Sequence, residues 1–279
     1  MEVKVYGFNH SPWVQAILLA LHDKQIKHDL YQIPALEAFK QWGIFMPAVS
    51  INNEPWEIES TKILVKFGYK PILKEEMIAA QKAWQGVLHR TDNPFRFFTA
   101  FSFGSQPHKN FSYNSISNLV LSFIAFYMFT LITIGKWRLN QKEPENFGDQ
   151  FLYWERLLKS SEGPFMNGAE LGMQDLVMFG IVQCHSSIPV PALEALIYDE
   201  RLQNLRKWIT TMQERFKNYA YLYSAKYFEP KASKMNSVNF FQRIIFFFGL
   251  FIMFLFFPIT LPLVLILMSR VEKIRIKSF

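Results

Sequence analysis

The strongest structural signal in this chain is the run Val3-Lys4-Val5-Tyr6-Gly7-Phe8-Asn9-His10-Ser11-Pro12-Trp13. Its first six residues predict a short strand, Asn9 and His10 a turn, and Ser11 the start of a helix that continues to about Asp23. Pro12 suits a first helical position, because its missing N–H would have no partner there. Ser11 then lies beside unpaired backbone N–H groups at the positive end of the helix dipole, where an anion such as a thiolate can bind. The alternative is that Ser11 is only an N-cap.

Two further motifs flank a predicted hairpin. Met46-Pro47 precedes the strand-like residues 48–51, and Glu59-Ser60 stands at the start of a helix after the extended residues 56–58. The glutamate and serine fit ordinary helix-start chemistry, but they also offer a carboxylate for an ammonium group and backbone N–H groups for a carboxylate.

These three motifs, in this order, resemble the glutathione S-transferase family. The resemblance implies an α/β thioredoxin-like domain at residues 1–70 and an all-α domain of the glutathione transferase type at 75–228. In the second half, residues 163–168 resemble the loop before the family's central buried helix. Gly172 stands three residues before Asp175, where many members have Ser or Thr, so we expect only half of the reciprocal helix cap.

The resemblance also implies roles for single residues, with glutathione as co-substrate. The backbone of Met46, before a cis Pro47, would bind the cysteinyl part of glutathione, and its γ-glutamyl end would lie at Glu59 and Ser60. Ser11 would be catalytic, donating a hydrogen bond that favours the thiolate and lowers the thiol pKa. His10 and Trp13 are further candidates beside it, although a histidine at such a turn is more often a polar loop residue.

Two functions remain open. One is a membrane-anchored transferase that conjugates or reduces apolar electrophiles with glutathione, with Phe97, Phe98 and Phe101 as contacts to the substrate or to a membrane. The other is a non-catalytic scaffold that binds a protein or lipid partner. Gln15 and Ala16 stand where many relatives carry a basic residue, which weakens the catalytic interpretation.

Composition excludes several other classes. The only cysteine, Cys184, allows no intramolecular disulfide and no dithiol exchange, and its apolar surroundings predict a buried, inert thiol. The six histidines show no metal-ligand spacing, so we expect no metal. The net charge of +7 comes with basic residues that flank an apolar run rather than with a nucleic-acid motif, so we expect no nucleic-acid partner.

That apolar run predicts a membrane segment at residues 244–268, which would be about 37 Å long as a helix. Pro258 and Pro262 leave two shapes open, a kinked single span, which we favour, and a hairpin within one leaflet. Residues 229–243 are the expected linker. A second apolar helix, 119–134, is expected in the protein core or at an interface rather than in lipid. Membrane lipid is thus an expected partner, and the globular part is expected to be cytoplasmic because the N-terminus shows no signal peptide. A homodimer is usual in the family.

Overall fold

The computed structural model describes residues 1–85, 110–139, 145–187, 191–224 and 240–276. Phe97, Phe98 and Phe101 lie outside the described residues, as do residues 229–239 of the expected linker. The described residues form an α/β domain, a helical domain and two C-terminal helices.

The N-terminal domain is a four-stranded sheet with helices between its strands. Its elements are β1 (Val3–Tyr6), α1 (Pro12–Asp23), β2 (His28–Tyr31), α2 (Leu36–Trp42), β3 (Ala48–Ile51), β4 (Glu57–Ile58) and α3 (Ser60–Lys66). The strand order is β2-β1-β3-β4, with β1 parallel to β2 and antiparallel to β3, and β3 antiparallel to β4. The Met46–Pro47 peptide bond, just before β3, is cis. This arrangement confirms the predicted thioredoxin-like domain.

The helical domain is built around one helix that is buried on all sides. Its elements are α4 (Lys74–Gln85), α5 (Phe111–Leu139), a 3₁₀ helix (Phe147–Phe151), α6 (Leu152–Ser160), α7 (Met173–Ser187), α8 (Pro191–Tyr198) and α9 (Gln203–Arg215). The central helix, α7, packs along α1 and joins the two domains. A Cβ on Gly180 would lie 2.4 Å from the carbonyl oxygen of Pro12, so only glycine permits this close approach.

The start of α7 is held by the carboxylate of Asp175, which is fully buried. It accepts hydrogen bonds from the backbone N–H of Gly172 (2.9 Å) and of Met166 (3.0 Å), and from Nε1 of Trp208 (2.7 Å). The bond to Gly172 is the expected half of the cap, and the other two hold the same carboxylate from the loop at Met166 and from Trp208 of α9. Burial raises the pKa of Asp175, and these hydrogen bonds oppose the shift.

The two C-terminal helices are α10 (Phe240–Leu255) and α11 (Phe257–Ile276). The first packs along α5, where a Cβ on Gly249 would overlap the Oγ of Ser122, and Asn118 donates a hydrogen bond to Gln242. The predicted apolar helix 119–134 thus lies inside the longer α5. Residues 240–243, which the sequence assigned to the linker, are already helical.

The two C-terminal helices meet at a bend of 89°. Among the described residues, no helix alone has the length and apolarity to cross a membrane. Two pairs of helices are long and apolar enough when taken together, but each pair is bent. Residues 240–255 and 257–274 meet at 89°, and residues 173–187 and 192–198 meet at 107°. The first break falls at Phe256, just before Pro258, whose ring would clash with a carbonyl of the preceding turn in a continuous helix. Pro262 lies inside α11 and does not interrupt it.

Candidate functional site

A small cavity lies where the N-terminal domain meets the helical domain and α11. Its lining includes Trp13, Met46, Pro47, Glu59 and Ser60, five of the residues that the sequence singled out. Its volume is about 50 Å³. The two motifs on either side of the β3–β4 hairpin are therefore neighbours in space.

Glu59 holds an uncommon backbone conformation, with φ of 84° and ψ of 95°, directly before α3. For a residue with a Cβ, such a φ costs of the order of 1–3 kcal/mol, and conformations of this kind cluster at functional sites. The carboxylate accepts a hydrogen bond of 3.2 Å from the Oγ1 of Thr61. Ser60 follows as the first residue of the helix and is buried. A carboxylate beside helix N–H groups can bind the ammonium and the carboxylate of one amino-acid headgroup.

Met46 and Pro47 also line the cavity. The register between β1 and β3 begins with Tyr6 opposite Ala48, so the backbone of Met46 lies beyond the end of that ladder. Its N–H and C=O are thus placed outside the β1–β3 pairing, beside the cavity. An extended peptide could pair with them in the manner of an added strand.

Ser11 and His10 are not part of the cavity lining. Ser11 is buried at the N-cap of α1, and its side chain makes no capping hydrogen bond. Ser11 thus occupies the N-cap position, but its hydroxyl does not cap the helix in this structure. His10 is buried against Tyr223, with ring centroids 4.8 Å apart and an interplanar angle of 24°, and it faces the helical domain. Of the residues in the first turn of α1, the cavity includes Trp13.

Gln15 has a structural role beside the start of α1. It is fully buried, and its Nε2 donates hydrogen bonds to the carbonyl oxygens of Asn9 (2.6 Å) and Tyr221 (3.2 Å). Its Oε1 accepts a hydrogen bond from the hydroxyl of Tyr219 at 3.0 Å. Gln15 therefore ties the loop before Ser11 to the segment after α9.

Several lining residues were missed by sequence reasoning: Phe45, Ile58, Met77, Gln81 and Val271. Phe45 and Ile58 adjoin the recognised motifs, so their proximity could have suggested them. Met77 and Gln81 lie one turn apart on α4. Their spacing shows that they share a helix face, but it does not show which part of the protein that face contacts. Val271 comes from the far end of the chain, and no sequence signal connects it with Met46 or Glu59.

Cys184 lies apart from the cavity, buried in α7. Burial raises the pKa of its thiol to about 12, so it stays protonated and unreactive near neutral pH, as its apolar neighbours predicted. Within the described ranges, no three histidine, cysteine, aspartate or glutamate side chains are grouped to hold a metal ion.

No family model matches this chain, and no curated protein matches its sequence. Solved structures show distant similarity. Glutathione S-transferase-I bound with lactoylglutathione is 14% identical, with a TM-score of 0.44 over 76% of this chain and 94% of that chain. A tau class glutathione S-transferase from mango, Mangifera indica, is 15% identical, with a TM-score of 0.44 over 87% and 98%.

A third solved structure is the theta class glutathione S-transferase from Xanthomonas axonopodis pv. citri with glutathione bound. It is 12% identical, with a TM-score of 0.43 over 80% of this chain and 98% of that chain. Similarity at this level does not establish a function. The thioredoxin-like class of the first domain rests on the strand order and the cis proline of this chain itself.

Proposed function

We propose that this chain is a glutathione S-transferase-like protein that binds glutathione between Met46 and Glu59. The observation that carries the proposal is the cavity itself. The extended backbone at Met46-Pro47 and the helix start at Glu59-Ser60 line the same small space. The first suits the cysteinyl backbone of the tripeptide and the second suits its γ-glutamyl headgroup.

The proposed reaction is addition of the glutathione sulfur to an apolar electrophile. Ser11, at the start of α1, would donate a hydrogen bond to the thiolate, and the helix dipole would favour the same charged form. Because Ser11 is absent from the cavity lining, this role requires the loop at 9–11 or the cavity wall to move when glutathione binds. The alternative is a non-catalytic scaffold, in which the cavity has no glutathione affinity.

Calorimetric titration of glutathione into the full chain tests the site. We expect saturable binding at millimolar concentration or tighter, which corresponds to about −4 kcal/mol or better. Glu59→Gln removes the charge but keeps the size of the side chain, and it should weaken binding at least about tenfold. Glu57→Gln is the matched control, since Glu57 lies two residues away and pairs with Lys66 on the surface. No binding to the wild-type chain at several millimolar would favour the scaffold.

Turnover with apolar electrophiles tests the role of Ser11. Ser11→Ala should lower the rate of conjugation about a hundredfold while leaving the glutathione Kd nearly unchanged, because the hydroxyl acts on the thiolate rather than on the peptide. Ser160→Ala, on the surface of α6, is the control. An unchanged rate in Ser11→Ala would remove Ser11 from the mechanism.

We further propose that α10 and α11 attach the protein to a lipid membrane. Their outer surfaces expose large apolar side chains, which include Phe248, Phe251, Phe254, Ile259 and Leu263. A continuous apolar surface of this kind marks an interaction site, and basic residues follow it at positions 270, 273, 275 and 277. Phe248→Ser with Phe251→Ser should reduce co-flotation with vesicles. Tyr198→Ser, at a still more exposed aromatic position on α8, should not.

A further inference from the structure

Val271 belongs to two environments at once. It lines the cavity together with Met46 and Glu59, and it packs in a small apolar cluster with Tyr6 and Ile58. It is 9% exposed, whereas Ile266 on the same helix is 52% exposed. The far end of α11 therefore forms part of the wall of the proposed glutathione site.

This contact extends along one face of α11. Leu267 contacts the N-terminal domain at Gly43, where an added Cβ would lie 3.0 Å from its Cδ1. Ile274 packs beside Val271 on the same cluster. Residues 267, 271 and 274 follow the helical repeat, so they present a single apolar stripe to the domain.

The cavity behind this stripe is too small for a tripeptide. About 50 Å³ holds a few water molecules, whereas ligand pockets typically measure about 300 Å³ or more. Binding of glutathione between Met46 and Glu59 thus requires part of the wall to withdraw. The wall segment contributed by α11 contacts the N-terminal domain through Leu267, Val271 and Ile274, while the other walls belong to that domain and to α4.

The remaining surface of α11 favours a different partner. Leu265 and Ile266 are exposed and apolar, and Arg270 and Lys273 are exposed and positively charged. An apolar surface beside cationic residues matches the interface of a membrane that contains anionic lipid. The helix can therefore gain burial in two ways, on the cavity wall or at a lipid surface.

We propose that the end of α11 is a lid over the cavity, closed by Leu267, Val271 and Ile274 and opened when an anionic lipid surface takes up this helix. The proposal rests on the proposed function, and it adds regulation of that site by the membrane. A ligand whose binding-competent state is sparsely populated shows an apparent Kd raised in proportion to that population. The closed lid therefore lowers glutathione affinity until lipid shifts the equilibrium.

The test compares the glutathione affinity of the full chain under conditions in which the lid is expected to be closed with the affinity under conditions in which it is expected to be open. Wild type is titrated without lipid and with vesicles of phosphatidylcholine and phosphatidylserine. Val271→Asn and the matched Ile266→Asn are titrated without lipid. We expect Val271→Asn, and wild type with vesicles, to bind glutathione roughly tenfold more tightly than wild type alone. Ile266→Asn should match wild type. Equal affinity of wild type and Val271→Asn would overturn the lid.

A second measurement does not depend on glutathione. Hydrogen exchange of the backbone amides at 57–60 and 271–276 should accelerate in Val271→Asn and should change on binding of wild type to vesicles. Unchanged exchange at both segments in vesicle-bound protein would overturn the proposal. If no variant binds glutathione under any condition but exchange changes as expected, the glutathione function fails and the lid stands.

Discussion

The hydroxyl of Tyr219 donates a hydrogen bond of 3.0 Å to the Oε1 of Gln15 across 204 positions of sequence. Both side chains are buried, and the same glutamine holds the carbonyl of Asn9 in the loop before Ser11. The segment after α9 thereby sets the position of the first turn of α1. The proposed catalytic serine is thus positioned by residues from both ends of the globular part.

Tyr219→Phe should lower the free energy of unfolding by about 1–2 kcal/mol, because it leaves the buried Gln15 oxygen without its donor. Urea denaturation followed by circular dichroism measures this change. Tyr198→Phe is the control, since Tyr198 is 77% exposed, and it should have no effect. Equal stability of the two variants would show that this hydrogen bond contributes nothing net.

Asp175→Ala should be among the most destabilising single substitutions in the helical domain. It removes the acceptor for three donors, the N–H groups of Met166 and Gly172 and the indole of Trp208, and we expect a loss of at least about 3 kcal/mol. Asp29→Ala, at an exposed strand position, is the control for thermal unfolding. A melting temperature equal to that control would contradict the role of the buried cap.

Gly180→Ala should separate α7 from α1. The added Cβ would meet the backbone oxygen of Pro12, which cannot rotate away as a side chain can, so we expect a loss of about 2–3 kcal/mol. Gly249→Ala is an informative comparison, because the obstacles there belong to side chains. The hydroxyl of Ser122 and the Cδ1 of Leu119 can rotate away, whereas the Cβ of Ser122, at 2.9 Å, cannot. A smaller effect at 180 than at 249 would argue against rigid packing of the two core helices.

His185 should make stability depend on pH. Burial lowers its pKa to about 4 from 6.5, and its Nε2 lies 3.2 Å from the carbonyl oxygen of Ala83. Between these two values the unfolded chain binds more protons than the folded chain, so the free energy of unfolding falls as the pH falls. The difference between pH 7 and pH 4 amounts to about 3 kcal/mol from this residue.

The measurement for His185 is the free energy of unfolding in urea at several pH values between 4 and 7. His185→Gln, which cannot titrate, should flatten the pH dependence, whereas His28→Gln at a half-buried position should keep the slope of the wild type. The same slope in all three proteins would show that His185 is not the group responsible.

Signals within a few neighbouring residues were sufficient to predict several helices and strands of the thioredoxin-like domain. Pro12 at the first turn of α1 and Glu59-Ser60 at the start of α3 depend on backbone geometry within a few residues, and the structure has both helices where the motifs predict them. The cis bond before Pro47 is also present, as the resemblance implied. The sequence predicted an interruption at Pro258 but left open whether the segment is a kinked span or a hairpin. A proline marks where a helix can break, whereas the angle between the two helices depends on packing.

The sequence by itself therefore determined β1, α1, the β3–β4 hairpin, the start of α3, the buried state of Cys184 and the two motifs that meet in the cavity. Only the tertiary structure decided that Trp208 donates to the buried carboxylate of Asp175, that Gln15 has a structural role, and that Val271 lines the cavity. The physical reason is range. Helix starts, turns and apolar periodicity are written in neighbouring residues, whereas contacts between positions such as 58 and 271 arise when separate apolar faces are buried together.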